Sequence, residues 1–138
     1  IAIREGRTFV NPEERFAVFE PRIRTLERIP AGVSVEIDPI PWERIEGLKP
    51  DIVSFGYNLV REPFGRLEAT LRNNDVFDVK NIEAVVLLLD SSENVKAASR
   101  TVVESIADEA EKKIGFTWTF PIIEEPAKIQ IYIRKIPN

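Results

Sequence analysis

Two acidic pairs, Glu13-Glu14 and Glu124-Glu125, come nearest in this chain to residues that could do acid–base chemistry. A general acid and a general base need a shared pocket and pKa values pushed apart. Each pair lies in a loop-forming stretch with no base or nucleophile beside it, so solvated turn acids are the better reading. The chain has no His, which removes the commonest general base and metal ligand. It also has no Cys, which excludes a disulfide framework and a thiolate zinc site and leaves the redox compartment open. Asn73, Asn74, Asp75 and Asp78 offer oxygens of the kind calcium takes, but without the spaced acids and glycine of a dedicated loop they read as turn chemistry. Gly6, Gly32, Gly47, Gly56, Gly65 and Gly115 are scattered, so none forms a phosphate cradle. Phe116, Trp118 and Phe120 could line a carbohydrate or peptide groove if they faced outward. Their alternation with Thr117 and Thr119 points them inward instead. The sequence therefore assigns no catalytic, cofactor-binding or metal-ligating residue, and the expectation is a protein that is not an enzyme and carries no cofactor.

The elements that would position any site are strands. Ile82–Asp90 is the stretch around which the others are arranged: Ile82, Ala84, Val86 and Leu88 share one face, and Val85, Leu87 and Leu89 make the other apolar too. That is the pattern of a central strand covered on both sides, closed by a turn at Asp90-Ser91-Ser92-Glu93-Asn94. Leu67, Ala69 and Leu71 alternate with polar residues, as do Ile129, Ile131 and Ile133, and Ile114, Phe116, Trp118 and Phe120 recur with period two. Ile52–Val60 alternates loosely, and Val95–Val103 is a weaker strand ending before Glu104-Ser105. Over Ser105–Glu111 both a capped helix and a one-turn excursion fit, and the strand that follows favours the excursion.

In the opening part, Ile1–Val10 reads as a strand bent at Gly6, Asn11-Pro12-Glu13-Glu14 as a turn, and Arg15–Glu20 as another strand. Arg22–Pro30 is a loop or a short helical turn, and Val33–Ile37 a half-buried strand. Pro39, Pro41, Gly47 and Pro50 mark a linker, with Trp42 expected to staple it to a neighbouring core.

The formal charge of -4, from 19 basic and 23 acidic residues interspersed along the chain, argues against a nucleic-acid surface. The longest apolar run, Ala84–Leu89, falls far short of the roughly 20 residues a spanning helix needs. No signal peptide and no Met are present, so the chain reads as a processed, excised or partly observed product.

Two parts of the chain resemble each other. Val33-Ser34-Val35-Glu36-Ile37-Asp38-Pro39-Ile40-Pro41 reads against Ile129-Gln130-Ile131-Tyr132-Ile133-Arg134-Lys135-Ile136-Pro137, and Arg7-Thr8-Phe9-Val10 against Arg100-Thr101-Val102-Val103. The expectation is that residues 49–138 form a complete domain and that 1–48 are the C-terminal half of a similar one, whose first strands are absent from this chain. Such a half would borrow a covering face from a preceding segment, from the 49–138 domain, or from another chain adding strands at its open edge.

Val86-Leu87-Leu88-Leu89-Asp90, with Leu88 and Asp90 at matching positions and Val86 and Leu89 in place of aromatics, resembles the signature strand of FxLYD-type immunoglobulin-like domains. The layout around it is similar as well: an Asn-rich turn after Leu71, Val79-Lys80-Asn81-Ile82, a Phe-Thr-Trp strand and an Ile-x-Ile-x-Ile strand. The resemblance extends to tandem, membrane-anchored envelope proteins of bacterial candidate phyla. It implies an all-β, immunoglobulin-like antiparallel sandwich standing outside the membrane, at the cell envelope or surface, on an upstream anchor. The function expected is a structural or interaction module: a spacer, a scaffold or an adhesion surface. Its partner would be protein, met through the strand edges of 1–48, with a homo-oligomer as one form. Two alternatives are a subunit of an extracytoplasmic assembly whose strands neighbouring chains complete, and an accessory binding domain of a larger hydrolase.

Overall fold

The computed structural model describes residues 1–39, 42–46 and 49–137. Six strands follow one another: β1 (Ile52–Val60), β2 (Arg66–Asn73), β3 (Val79–Leu89), β4 (Val95–Ile106), β5 (Glu111–Thr117) and β6 (Lys128–Lys135). They form two antiparallel sheets, in the orders β1-β2-β5 and β4-β3-β6. The described residues contain no helix, so none long and apolar enough to cross a membrane. The fold is an all-β sandwich. Its two sheet orders correspond to strands A-B-E and C′-C-F of an immunoglobulin-like arrangement, in which a further strand, G, flanks F.

Alternation builds the layers. On β3 the side chains of Ile82, Ala84, Val86 and Leu88 are completely buried and face Leu67, Ala69, Leu71, Ile114 and Phe116 of the other sheet in one apolar cluster. Val85 and Leu89, on the opposite face, are buried too, which bears out the reading of a strand covered on both sides. Cross-strand rows such as Leu59–Leu67–Phe116 keep large side chains in register. Gly56, at φ 69°, sits where β1 slips register between Phe55 and Asn58. A bulge there needs the left-handed backbone that glycine adopts without strain.

The two flanks of the sandwich differ. At one, β4 packs beside β5: the Trp118 indole N–H donates to the Ala98 carbonyl at 2.9 Å and the Ser99 hydroxyl to the Thr117 carbonyl at 3.4 Å. At the other, β1 and β6 barely meet. β6 pairs with β3 alone, and its inward Ile129, Ile131 and Ile133 stay only partly buried. β1 starts and β6 ends at the same pole, where Asn74 N–H donates to Asp51 O at 2.9 Å and Ile136 N–H to Asn81 O at 2.7 Å. The far pole carries the exposed side chains of Phe64, Phe120 and Ile123.

Several expectations need correction. β4 continues through Ile106, because Lys80 pairs with Ser105 and the ladder carries the polar residues onward. The excursion after it is a single turn at Asp108-Glu109. In the opening region no strand forms among the described residues. Ile1–Val10, Arg15–Glu20 and Val33–Ile37 belong to no ladder, since no strand among the described residues pairs with them to take up their N–H and C=O groups. Val33, Val35 and Ile37 are 90%, 82% and 75% exposed, so the last stretch is not half-buried. Turns do occur at Pro12-Glu13 and Leu26-Glu27, closed by Glu14 N–H to Asn11 O and Arg28 N–H to Thr25 O. Trp42 is exposed and staples nothing. Pro41 and Gly47 of the expected linker lie outside the described residues.

Candidate interaction surface

The groups singled out for possible chemistry are occupied in holding turns. Asn73 continues the inward row of Leu67, Ala69 and Leu71 and is completely buried. Its amide donates to the carbonyls of Phe77, Ile106 and Ala107 at 2.9, 3.2 and 3.1 Å, while its side-chain oxygen accepts from Asp75 N–H at 3.0 Å. One side chain thereby ties the β2–β3 loop to the β4–β5 turn. Asp75 accepts from Asp51 N–H and Asp78 from Asp108 N–H, each at 3.0 Å, so these carboxylates face backbone donors rather than a shared cavity. Glu14 accepts from Asn11 within its turn at 2.7 Å, and Glu124 and Glu125 stand in solvent on the β5–β6 loop. The two acidic pairs are not brought together with a base or a nucleophile. Two shallow recesses, of about 410 and 440 Å³, open beside Arg4 and Arg22 and are lined by arginines and apolar side chains, with Ser99 in the second.

Phe116 and Trp118 point inward as their alternation predicts, but Phe120 is half exposed. β5 stops at Thr117, and beyond it the backbone is committed to the β1–β2 loop, with Gly65 N–H donating to Phe120 O at 2.9 Å. The period-two pattern ends with the strand that sustained it.

Asp90 explains its own position at the end of β3. Its carboxylate accepts the N–H groups of Ser92 and Asn94, both at 2.9 Å, and the Asn94 amide at 3.2 Å, with Lys96 at 3.8 Å. The Asn94 N–H holds its pKa below the usual carboxylate value against an opposing desolvation, assisted by the Asn94 amide, the Ser92 N–H and the Lys96 charge.

Arg134 is the functional residue that sequence reasoning missed. On β6 it stands across from Glu83 on the outer face of the second sheet, only 3% exposed. The first residues of the chain cover it. Its guanidinium carbon lies 3.7 Å from the Phe9 ring centroid and 3.9 Å from that of Phe16, and its terminal nitrogens donate to the Thr8 hydroxyl at 3.1 Å and to the Phe9 carbonyl. Desolvation lowers its pKa, opposed by the charges of Glu14 and Glu83, and an arginine remains a cation under such a shift. Its Nε is buried without a hydrogen-bond partner. A cation between two aromatic faces is a favourable contact, and here it pins the opening segment onto β6. No local signal reveals a pair 125 positions apart in sequence. The hint was an arginine on the outer row of a strand whose neighbours in that row, Gln130 and Tyr132, form a partly covered surface.

Past this pin, little of the segment is covered. Ile23, Leu26, Ile29, Val33, Val35, Ile37, Trp42 and Ile45 are all exposed. These apolar side chains lie outside the closed core of the sandwich. In comparison with known proteins, the chain matches no family model, no curated protein and no solved structure.

Proposed function

We propose that the protein is a non-enzymatic, immunoglobulin-like module of an extracytoplasmic, cell-envelope protein, acting as a scaffold or adhesion and interaction surface. The observation that carries this reading is the contrast between a sandwich that buries its own core and a preceding segment that leaves a row of apolar side chains in water. Burying such side chains is worth about 1.5–3 kcal/mol each, so a partner that covers them gains much of its affinity there. The FxLYD-type resemblance supports the same reading, because Asp90 performs in the β3–β4 turn a structural task that accounts for an aspartate at the end of the signature strand. It also supports the envelope location and the tandem arrangement, with 1–48 as the later part of a preceding domain of the same kind.

Cell fractionation with surface proteolysis tests this. The full-length protein is expected in the envelope fraction, cut by protease added to intact cells, and cross-linked to other proteins through residues 1–46. Recovery in the cytosolic fraction with protection from added protease would sink the proposal, as would a catalytic activity that maps to this chain.

A further inference from the structure

The free edge of β6 and the unpaired stretch 33–37 are complementary. β6 occupies the place of strand F, and among the described residues no strand pairs with it on the side where strand G belongs. An edge strand presents a row of unmet N–H and C=O groups, a template for another extended segment. The inward Ile129, Ile131 and Ile133 are only partly buried because the layer stops there. Val33, Val35 and Ile37 alternate with Ser34 and Glu36, are exposed and belong to no ladder. Laid along β6, they would continue the inner layer over the three isoleucines, with Ser34 and Glu36 on the outer side. Charge agrees with this: β6 carries Lys128, Arg134 and Lys135 and no acid, whereas residues 33–38 carry Glu36 and Asp38 and no base.

Resting on the reading of this chain as an interaction module, we propose that its partner is a second copy: residues 33–37 of each protomer add as an edge strand to β6 of the other. The exchange is reciprocal, so the assembly closes as a two-fold dimer with the same contact made twice. The affinity comes from main-chain hydrogen bonds and the register from alternate side chains, as in donor-strand complementation.

Sedimentation velocity on the purified full chain over a wide concentration range is the test. A monomer–dimer equilibrium is expected, and Val35→Asp, which puts a carboxylate on the face that would lie beside the isoleucines, is expected to weaken it by about tenfold or more. Residue 35 lies outside the sandwich, so the thermal melt of Val35→Asp should overlay that of the unaltered chain at a concentration where both are monomeric. A strand in the G position runs antiparallel to F, which sets Val33, Val35 and Ile37 beside Ile133, Ile131 and Ile129 and Ser34 beside Tyr132 on the outer face. Because the chain has no cysteine, mixing Ser34→Cys chains with Tyr132→Cys chains under oxidising conditions should yield a mixed disulfide dimer. A chain that stays monomeric at every concentration, a dimer indifferent to Val35→Asp, or the absence of the mixed disulfide would each overturn the exchange. Demonstrated exchange would replace the tandem-domain reading of residues 1–48, whereas the envelope location is tested separately by fractionation.

Discussion

Residues 129–133 and 33–37 carry nearly the same pattern, Ile-Gln-Ile-Tyr-Ile against Val-Ser-Val-Glu-Ile, yet one is a strand of the sandwich and the other is exposed and joins no ladder. The difference is not in propensity, since both are rich in β-branched residues. It lies in what stands alongside. β6 has β3 as a neighbour, with Ala84, Val86 and Leu88 opposite its isoleucines, while 33–37 pairs with no strand among the described residues. Alternation makes a segment able to join a sheet, and a partner ladder makes it a strand.

Substitutions on the two sides of this comparison should separate sharply. Phe116→Ala, in the middle of the core, is expected to destabilise the sandwich by about 3–5 kcal/mol in a urea titration. Replacing Val33, Val35 and Ile37 together by Ala should move the same monomer transition by less than about 0.5 kcal/mol. A large effect of the triple replacement at low protein concentration would mean that the segment is part of the folded unit after all.

Asn73→Ala comes next. It strips the amide from three carbonyls at a buried position, and the cost should be about 2–3 kcal/mol, with the β2–β3 loop and the β4–β5 turn losing hydrogen-exchange protection together. Loss of protection in only one of the two would show that they are held independently.

Arg134→Leu probes the seam between the two regions. The substitution gives up two cation–π contacts but also relieves a desolvated charge, so sandwich stability should change by only about 1 kcal/mol. Amide exchange across residues 8–16 should nevertheless accelerate by about tenfold, because the pin that holds them is gone. Unchanged exchange there would remove Arg134 as the anchor.

The smallest effect is the acid dependence set by Asp90. Its pKa is lowered in the folded state, so the folded chain favours the carboxylate, and the resulting stability is present above the unfolded pKa and lost as the pH falls through the folded one. Asp90→Asn should therefore melt slightly below the parent at neutral pH, with the gap closing below about pH 4. A gap that persists in acid would assign the turn to packing rather than to the carboxylate.

Much of the sandwich could be read from the sequence, because each strand of its core carries its own alternation and a turn marker at its end. The β4 boundary was not legible, since Glu104 and Ser105 look like turn residues and remain in the strand only because β3 is long enough to pair with them. Asn73 illustrates a signal that was present but unused: the period that buries Leu67, Ala69 and Leu71 also buries position 73, which marks a structural amide rather than a surface turn. The missing ladders of the first region and the seat of Arg134 depend on contacts between distant residues, and no local pattern encodes them.

The shared pole of β1 and β6 has a mechanical consequence. Tension applied through the start of one and the end of the other would meet the β3–β6 ladder end-on, loading its hydrogen bonds one after another as a zip opens, instead of shearing them all at once. A module attached in this way would yield at low force.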